Sequence, residues 1–305
     1  MKRTIRCLNV FLIIVCAVFL FVSCGTNEAA TDEQNSRGST DKFLKPEASG
    51  DKTISGNGIN IDVSNTSKGY LMVKSGLSNK IKVQIIGTDG ETYSYTQHSE
   101  EYETYPLTTG DGSYEIQVFE NIRDDMYVMS LTDTIDVKLD DDFTPFLYPN
   151  QYAWYEKGME AMDLGKELSE SSTTDLKFVE NVYEYVTTNI QYDYEKAKNI
   201  TADYIPDIDS TLKSKSGICF DYASLMTALL RSQGVPTKLV VGYSGSVYHA
   251  WISVYTEETG WVDNVIEFDG KHWSLMDPTL AASNGQKSVK NYVGDGSNYT
   301  VKYNY

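Results

Sequence analysis

Ser216-Gly217-Ile218-Cys219-Phe220-Asp221-Tyr222-Ala223, running on to Leu229-Leu230-Arg231-Ser232-Gln233-Gly234-Val235-Pro236, is the stretch that decides the fold. Leu225, Met226, Leu229 and Leu230 recur at intervals of one, three and four, which places them on one side of a helix. Gly217 introduces that helix, and Gly234 followed by Pro236 stops it, so the spacing predicts a helix from about Cys219 to Ser232. Upstream, Leu176, Val179, Tyr183, Val186 and Ile190 step by three and four, with Thr174 or Asp175 as N-cap. Downstream come strand-like runs at Thr237–Tyr243, Val247–Tyr255, Trp261–Phe268 and Trp273–Asp277. Helices followed by an antiparallel-looking series of strands read as an α+β domain, taken as residues 143–305.

Ahead of residue 143 the period is two. Ile59, Ile61 and Val63 alternate with polar residues, as do Ile81, Val83 and Ile85, then Tyr114, Ile116 and Val118, then Ile135, Val137 and Leu139. Asp89-Gly90 and Asp111-Gly112 are turn signals between such runs, so residues 54–142 are expected to form a small all-β, sandwich-like domain. His98 stands alone in a polar stretch and reads as a surface residue. Residues 25–53 are rich in Gly, Ser, Thr, Asn, Asp and Glu and read as a disordered tether, reaching on the order of 30 Å. Residues 1–24 combine basic Lys2, Arg3 and Arg6 with an apolar run from Leu8 to Val22, too short to span a bilayer comfortably. The run ends in Val22-Ser23-Cys24, which resembles a bacterial lipobox; Cys24 is then the lipid attachment site and the protein an extracytoplasmic, membrane-anchored lipoprotein.

The chain has four cysteines, of which Cys7 and Cys16 lie in the signal and Cys24 at its end, leaving Cys219 as the one free thiol of the mature protein. One thiol makes neither a disulfide framework nor a cysteine metal site; it is either reactive or a small buried hydrophobe. A net charge of −17 argues against a nucleic-acid partner, because phosphate is repelled.

Cys219 sits where the predicted helix starts, and a helix N-terminus stabilises a thiolate and offers N–H groups to an oxyanion. The nucleophile needs a base. Strand alternation puts His249, Trp251 and Ser253 on one face and the apolar Ala250, Ile252 and Val254 on the other, so His249 is expected in a cleft covered by Trp251. His272 lies in turn-like Asp269-Gly270-Lys271 and reads as exposed. Among carboxylates that would orient the imidazole, Asp277 before Pro278 is the best placed and Asp263 the weaker candidate.

The segment Ser216–Ala223 resembles the nucleophile motif of the transglutaminase-like superfamily. Leu229–Pro236 resembles its helix end, Tyr248-His249-Ala250-Trp251 its histidine strand, and Gly270–Thr279 its aspartate segment. The resemblance covers about Asp175 to Ala282, and three motifs in order make it specific. It implies a papain-like core with Cys219 as nucleophile, His249 as general acid/base and Asp277 as its orienting partner. Tyr192 or Gln191 would be a second oxyanion donor. It further implies acyl chemistry on amide bonds of peptide, protein or cell-wall peptide substrates, ending on water or on an amine, with no cofactor or metal. A non-catalytic surface-binding or scaffold lipoprotein is the alternative.

Overall fold

The computed structural model describes residues 36–263 and 299–305, together with the backbone of two short strands at 266–268 and 273–275. The N-terminal part is built from β1 (Thr53–Gly56), β2 (Ile59–Asp62), β3 (Tyr70–Ser75), β4 (Ile81–Ile86), β5 (Thr92–Gln97), β6 (Glu103–Pro106), β7 (Gly112–Arg123) and β8 (Met126–Val137). They form two four-stranded sheets, β1-β2-β3-β6 and β5-β4-β7-β8, with antiparallel neighbours throughout. The alternation read from the sequence is the physical cause: Ile59, Ile61, Ile81, Val83, Ile85, Tyr114, Ile116, Val118, Ile135 and Val137 are all buried, while Lys82 and Gln84 between them are not. Gly90 turns the chain between β4 and β5 at φ +80°, a conformation that costs a Cβ-bearing residue. His98 is exposed, as expected.

The second part comprises α1 (Glu160–Glu170), α2 (Asp175–Asn189), β9 (Gln191–Tyr192), α3 (Tyr194–Asn199), α4 (Ile208–Ser214), β10 (Ser216–Gly217) and α5 (Cys219–Ser232). Then follow β11 (Thr237–Ser244), β12 (Val247–Thr256), β13 (Gly260–Val262), β14 (Ile266–Phe268), β15 (Trp273–Leu275) and β16 (Tyr299–Asn304). The Thr174 hydroxyl accepts the Lys177 N–H at 3.1 Å and caps α2. The sheet order is β13-β12-β11-β16, all antiparallel, with α5 packed against β11 and β12. This is an α+β fold. From Asp221 onward every residue of α5 is buried, and Leu225, Met226, Leu229 and Leu230 each contribute about 1.5–3 kcal/mol of apolar burial.

The two parts share one buried core, and the joint is made of tyrosine. Tyr93 and Tyr95 of β5 meet Tyr303 and Tyr305 at ring separations of 5.2 to 5.9 Å, and Tyr152 stacks on Tyr95 at 5.7 Å. Tyrosine suits such a joint because the ring fills apolar volume while the hydroxyl remains a hydrogen-bonding handle. Arg231, at the end of α5, is wholly buried and donates to the main-chain oxygens of Thr237, Tyr148 and Tyr305 at 2.6–2.8 Å. Its desolvation lowers the guanidinium pKa to about 10, and three satisfied donors make the burial tolerable.

The expected tether is corrected from residue 36 onward. Arg37 donates to Asp175 at 2.8 Å and to the Gln233 carbonyl at 3.1 Å, and its guanidinium lies 4.7 Å from the Phe178 ring centroid. The Arg37 N–H donates to the Ser172 carbonyl and the Thr40 N–H to the Gln233 side chain. A polar segment without secondary structure is therefore held by side-chain and main-chain bonds to the ends of α1, α2 and α5, which composition alone does not reveal. Cys24 and the rest of residues 1–35 lie outside the described residues.

Candidate active site

Cys219 is the first residue of α5, and the parallel pairing of β9 with β10 sets where that helix begins. Gln191 N–H donates to the Lys215 carbonyl and Asp193 N–H to the Gly217 carbonyl, both at 2.9 Å. The intrahelical ladder opens with the Tyr222 N–H on the Ile218 carbonyl at 3.1 Å, so the N–H groups of the first turn have no acceptor within the helix. Their partial positive charge falls at the Cys219 side chain. The helix start is fastened by Asp221, which is fully buried. Its carboxylate accepts the Ile218 N–H at 2.8 Å, pairs with Lys196 Nζ at 2.7 Å, and accepts the Tyr204 hydroxyl. Tyr222 donates its hydroxyl to the Ile190 carbonyl at 2.6 Å, tying α5 to the end of α2.

His249 lies near the start of β12, paired across the β11–β12 ladder with Gly242. Opposite the imidazole there is thus no side chain. A Cβ built on Gly242 would stand 2.0 Å from the Thr300 carbonyl oxygen and 2.9 Å from the Trp251 ring, so only glycine lets β16 and Trp251 pack there. The alternation argument for His249 needs a correction of detail. Ala250, Ile252 and Val254 are buried as expected, but Trp251 and Ser253 on the other face are buried too, because both sides of β12 are covered. Trp251 packs behind His249, with the two rings 6.4 Å apart and inclined by 28°.

Cys219 and His249 line one cavity of about 820 Å³, within the usual size of a ligand site. Cys219 and His249 are each partly exposed to it. Tyr192 also lines this cavity, whereas Gln191 faces solvent and does not. Burial raises the phenol pKa of Tyr248, which lines the same cavity as Cys219. Lys213 and Lys215, near Cys219 in sequence, are exposed and are not among the cavity walls.

Of the two carboxylates, Asp263 is exposed at the end of β13, where its charge acts on Lys238. It is not among the residues lining the cavity. Asp277, like His272, lies outside the described residues. Among the described residues no cluster of His, Cys, Asp and Glu has the arrangement to hold a metal ion, and no helix is long and apolar enough to cross a membrane.

Residues 162–264 match the transglutaminase-like superfamily. A 96-residue stretch is 35% identical to a protein of Methanocaldococcus jannaschii, covering 28% of this chain and 27% of that one. A 68-residue stretch is 31% identical to a protein-glutamine gamma-glutamyltransferase of Pseudomonas aeruginosa, covering 18% and 10%. The chain thus spans about a quarter or less of the length of these curated relatives. Among solved structures, a candidate cysteine protease of Cytophaga hutchinsonii superposes with a TM-score of 0.34 at 16% identity, covering 76% of this chain and 87% of that one.

Proposed function

Taking as premise that residues 162–264 form a transglutaminase-like domain, we propose that the protein is a thiol enzyme acting on amide bonds of peptide or protein substrates. The observation that supports this reading is that Cys219, at a helix N-terminus, and His249 line the same cavity. His249 takes the thiol proton, and the thiolate sulfur attacks the amide carbonyl carbon. The first-turn N–H groups of α5 hold the resulting oxyanion, with Tyr192 as a further donor from the cavity wall. Collapse breaks the C–N bond, the amine leaves with the proton returned by His249, and a thioester remains on Cys219. Water or a second amine then attacks the thioester, giving its proton to His249, and the sulfur leaves as the thiol. Asp277 is assigned the orienting role for the imidazole on the strength of the motif resemblance. In this reading Cys24 carries the lipid that holds the enzyme at the outer face of a membrane, close to surface protein or cell-wall peptide.

The enzyme reading is tested by alkylation. Iodoacetamide at mildly acidic pH should label Cys219 faster than a free thiol, and His249→Ala should remove the advantage; equal rates in the two proteins would refute activation. The anchor is tested separately. Cys24→Ser should move the protein from the membrane to the soluble fraction, and retention of the variant would exclude the lipid.

A further inference from the structure

The cavity beside Cys219 has a character that the whole molecule does not share. The chain carries a net charge of −17, yet no Asp, Glu, Lys or Arg lines the cavity among the described residues. Its walls are aromatic and aliphatic, with Tyr152, Tyr192, Tyr204, Phe220, Tyr248 and Tyr303 prominent. The buried Asp221 carboxylate is already satisfied: it pairs with Lys196 and accepts the hydroxyl of Tyr204, a residue of the cavity wall. Lys196 Nζ lies 4.6 Å from the centroid of the Tyr204 ring. Burial pushes the phenols of Tyr152, Tyr204 and Tyr305 up. At the mouth, the β11–β12 hairpin presents Tyr248 and Val247, 56% and 60% exposed, with Tyr243 against Tyr248 at 5.4 Å. Large apolar side chains so exposed beside a cavity mark a contact surface rather than a solvated one.

We infer that the acyl donor is an uncharged peptide segment in which the reacting amide is flanked by aromatic residues, one ring entering the tyrosine-lined cavity and another resting on Tyr248. This rests on the proposed thiol chemistry and narrows it. A carboxylate next to the reacting amide would be stripped of water against the aromatic walls and would approach through an acidic surface field. Among the described residues Lys302, with Nζ 5.1 Å from the Tyr303 ring centroid, is exposed to solvent rather than set into the cavity wall. Aromatic rings, by contrast, meet offset and edge-on partners along the cavity.

The test uses the full chain carrying Cys219→Ala, so that binding is read without turnover. Three blocked peptides of equal length are compared, with glutamine set between two phenylalanines, two glycines or two aspartates, and binding is followed by calorimetry. The phenylalanine peptide should bind about tenfold tighter than the glycine peptide, from one or two aromatic contacts, and the aspartate peptide weaker still. Tyr248→Ala in the same background should remove most of the phenylalanine preference, and Tyr248→Phe should retain it. Equal binding of the three peptides, or preference for the aspartate one, overturns the inference, as does a preference that Tyr248→Ala leaves intact. The chain with Cys219 intact is then given the same peptides. Preferential binding without Cys219-dependent acyl transfer or hydrolysis would sink the enzyme reading and leave the binding inference standing. Turnover without preference would do the reverse.

Discussion

Asp221→Asn is the substitution whose consequence follows most directly from the structure. The carboxylate has no exposed surface, accepts the Ile218 N–H and the Tyr204 hydroxyl, and pairs with Lys196 Nζ at 2.7 Å. Asparagine keeps the volume and one acceptor, but it presents an amide N–H₂ where a carboxylate oxygen took a donor. Breaking a buried pair costs about 3–5 kcal/mol when the other charge stays trapped. The Lys196 side chain is 30% exposed and can turn to water, which removes part of that cost. What remains is the loss of hydrogen bonds to a charged group, roughly 1.5–3 kcal/mol. The expected loss is therefore about 2–3 kcal/mol, read as the shift in urea midpoint at unchanged slope and as a fall in Tm of about 2–4 °C per kcal/mol. Lys196→Met alone should cost less, and the double variant should show a coupling of about 1 kcal/mol or more. The same carboxylate fastens the helix start that bears Cys219, so the iodoacetamide rate should fall in Asp221→Asn even at temperatures where it is fully folded. A variant within 0.5 kcal/mol of wild type (about the limit for surface substitutions) with an unchanged alkylation rate would refute the reasoning.

Two further outcomes are expected. Gly242→Ala should destabilise the C-terminal sheet by about 3 kcal/mol or more, because the new methyl meets a main-chain oxygen of β16 that cannot swing aside; hydrogen exchange should show β16 opening first, and near-wild-type protection there would contradict the packing described. Asp203, beside Lys80 at 2.6 Å, has its pKa lowered to about 2, chiefly by that hydrogen bond. A carboxylate with a depressed folded-state pKa contributes stability above its unfolded value near 4 and loses it as pH falls towards 2. The stability difference between wild type and Asp203→Asn should accordingly be flat above about pH 5, shrink between about pH 4 and 2, and be small throughout because both side chains are solvent-exposed. A difference that does not change across that window would rule out the pair.

The sequence by itself determined the elements whose physics is local. Period-two alternation fixes which faces of β2, β4 and β7 are buried, and the three-and-four spacing with Gly234 and Pro236 bounds α5. A cysteine at a helix start, and a histidine in a strand-like run downstream of it, also needed no structure to be seen. α1 carries the same three-and-four spacing in Ala161, Leu164 and Leu168, but Gly165 and Ser169 interrupt its packing face; Gly165 lets Ser232 and Leu229 approach closely. The N-terminal cap of α1 is not in its own segment, since Asp209 of α4 accepts the Glu160 and Ala161 N–H groups. The same limit applies at the site. Asp221 stands within the quoted nucleophile motif, but its partners Lys196 and Tyr204 come from 25 and 17 residues away, and only the fold makes them neighbours. Only tertiary structure could show that β16 pairs beside β11, that residues 36–41 are held against the helices while Glu47 is held by Tyr70 of β3, and that tyrosines scattered from Tyr93 to Tyr305 form one joint. A cavity's charge is likewise a property of which side chains converge in space. Local pattern reports periodicity and caps, whereas convergence depends on contacts between residues far apart in the chain.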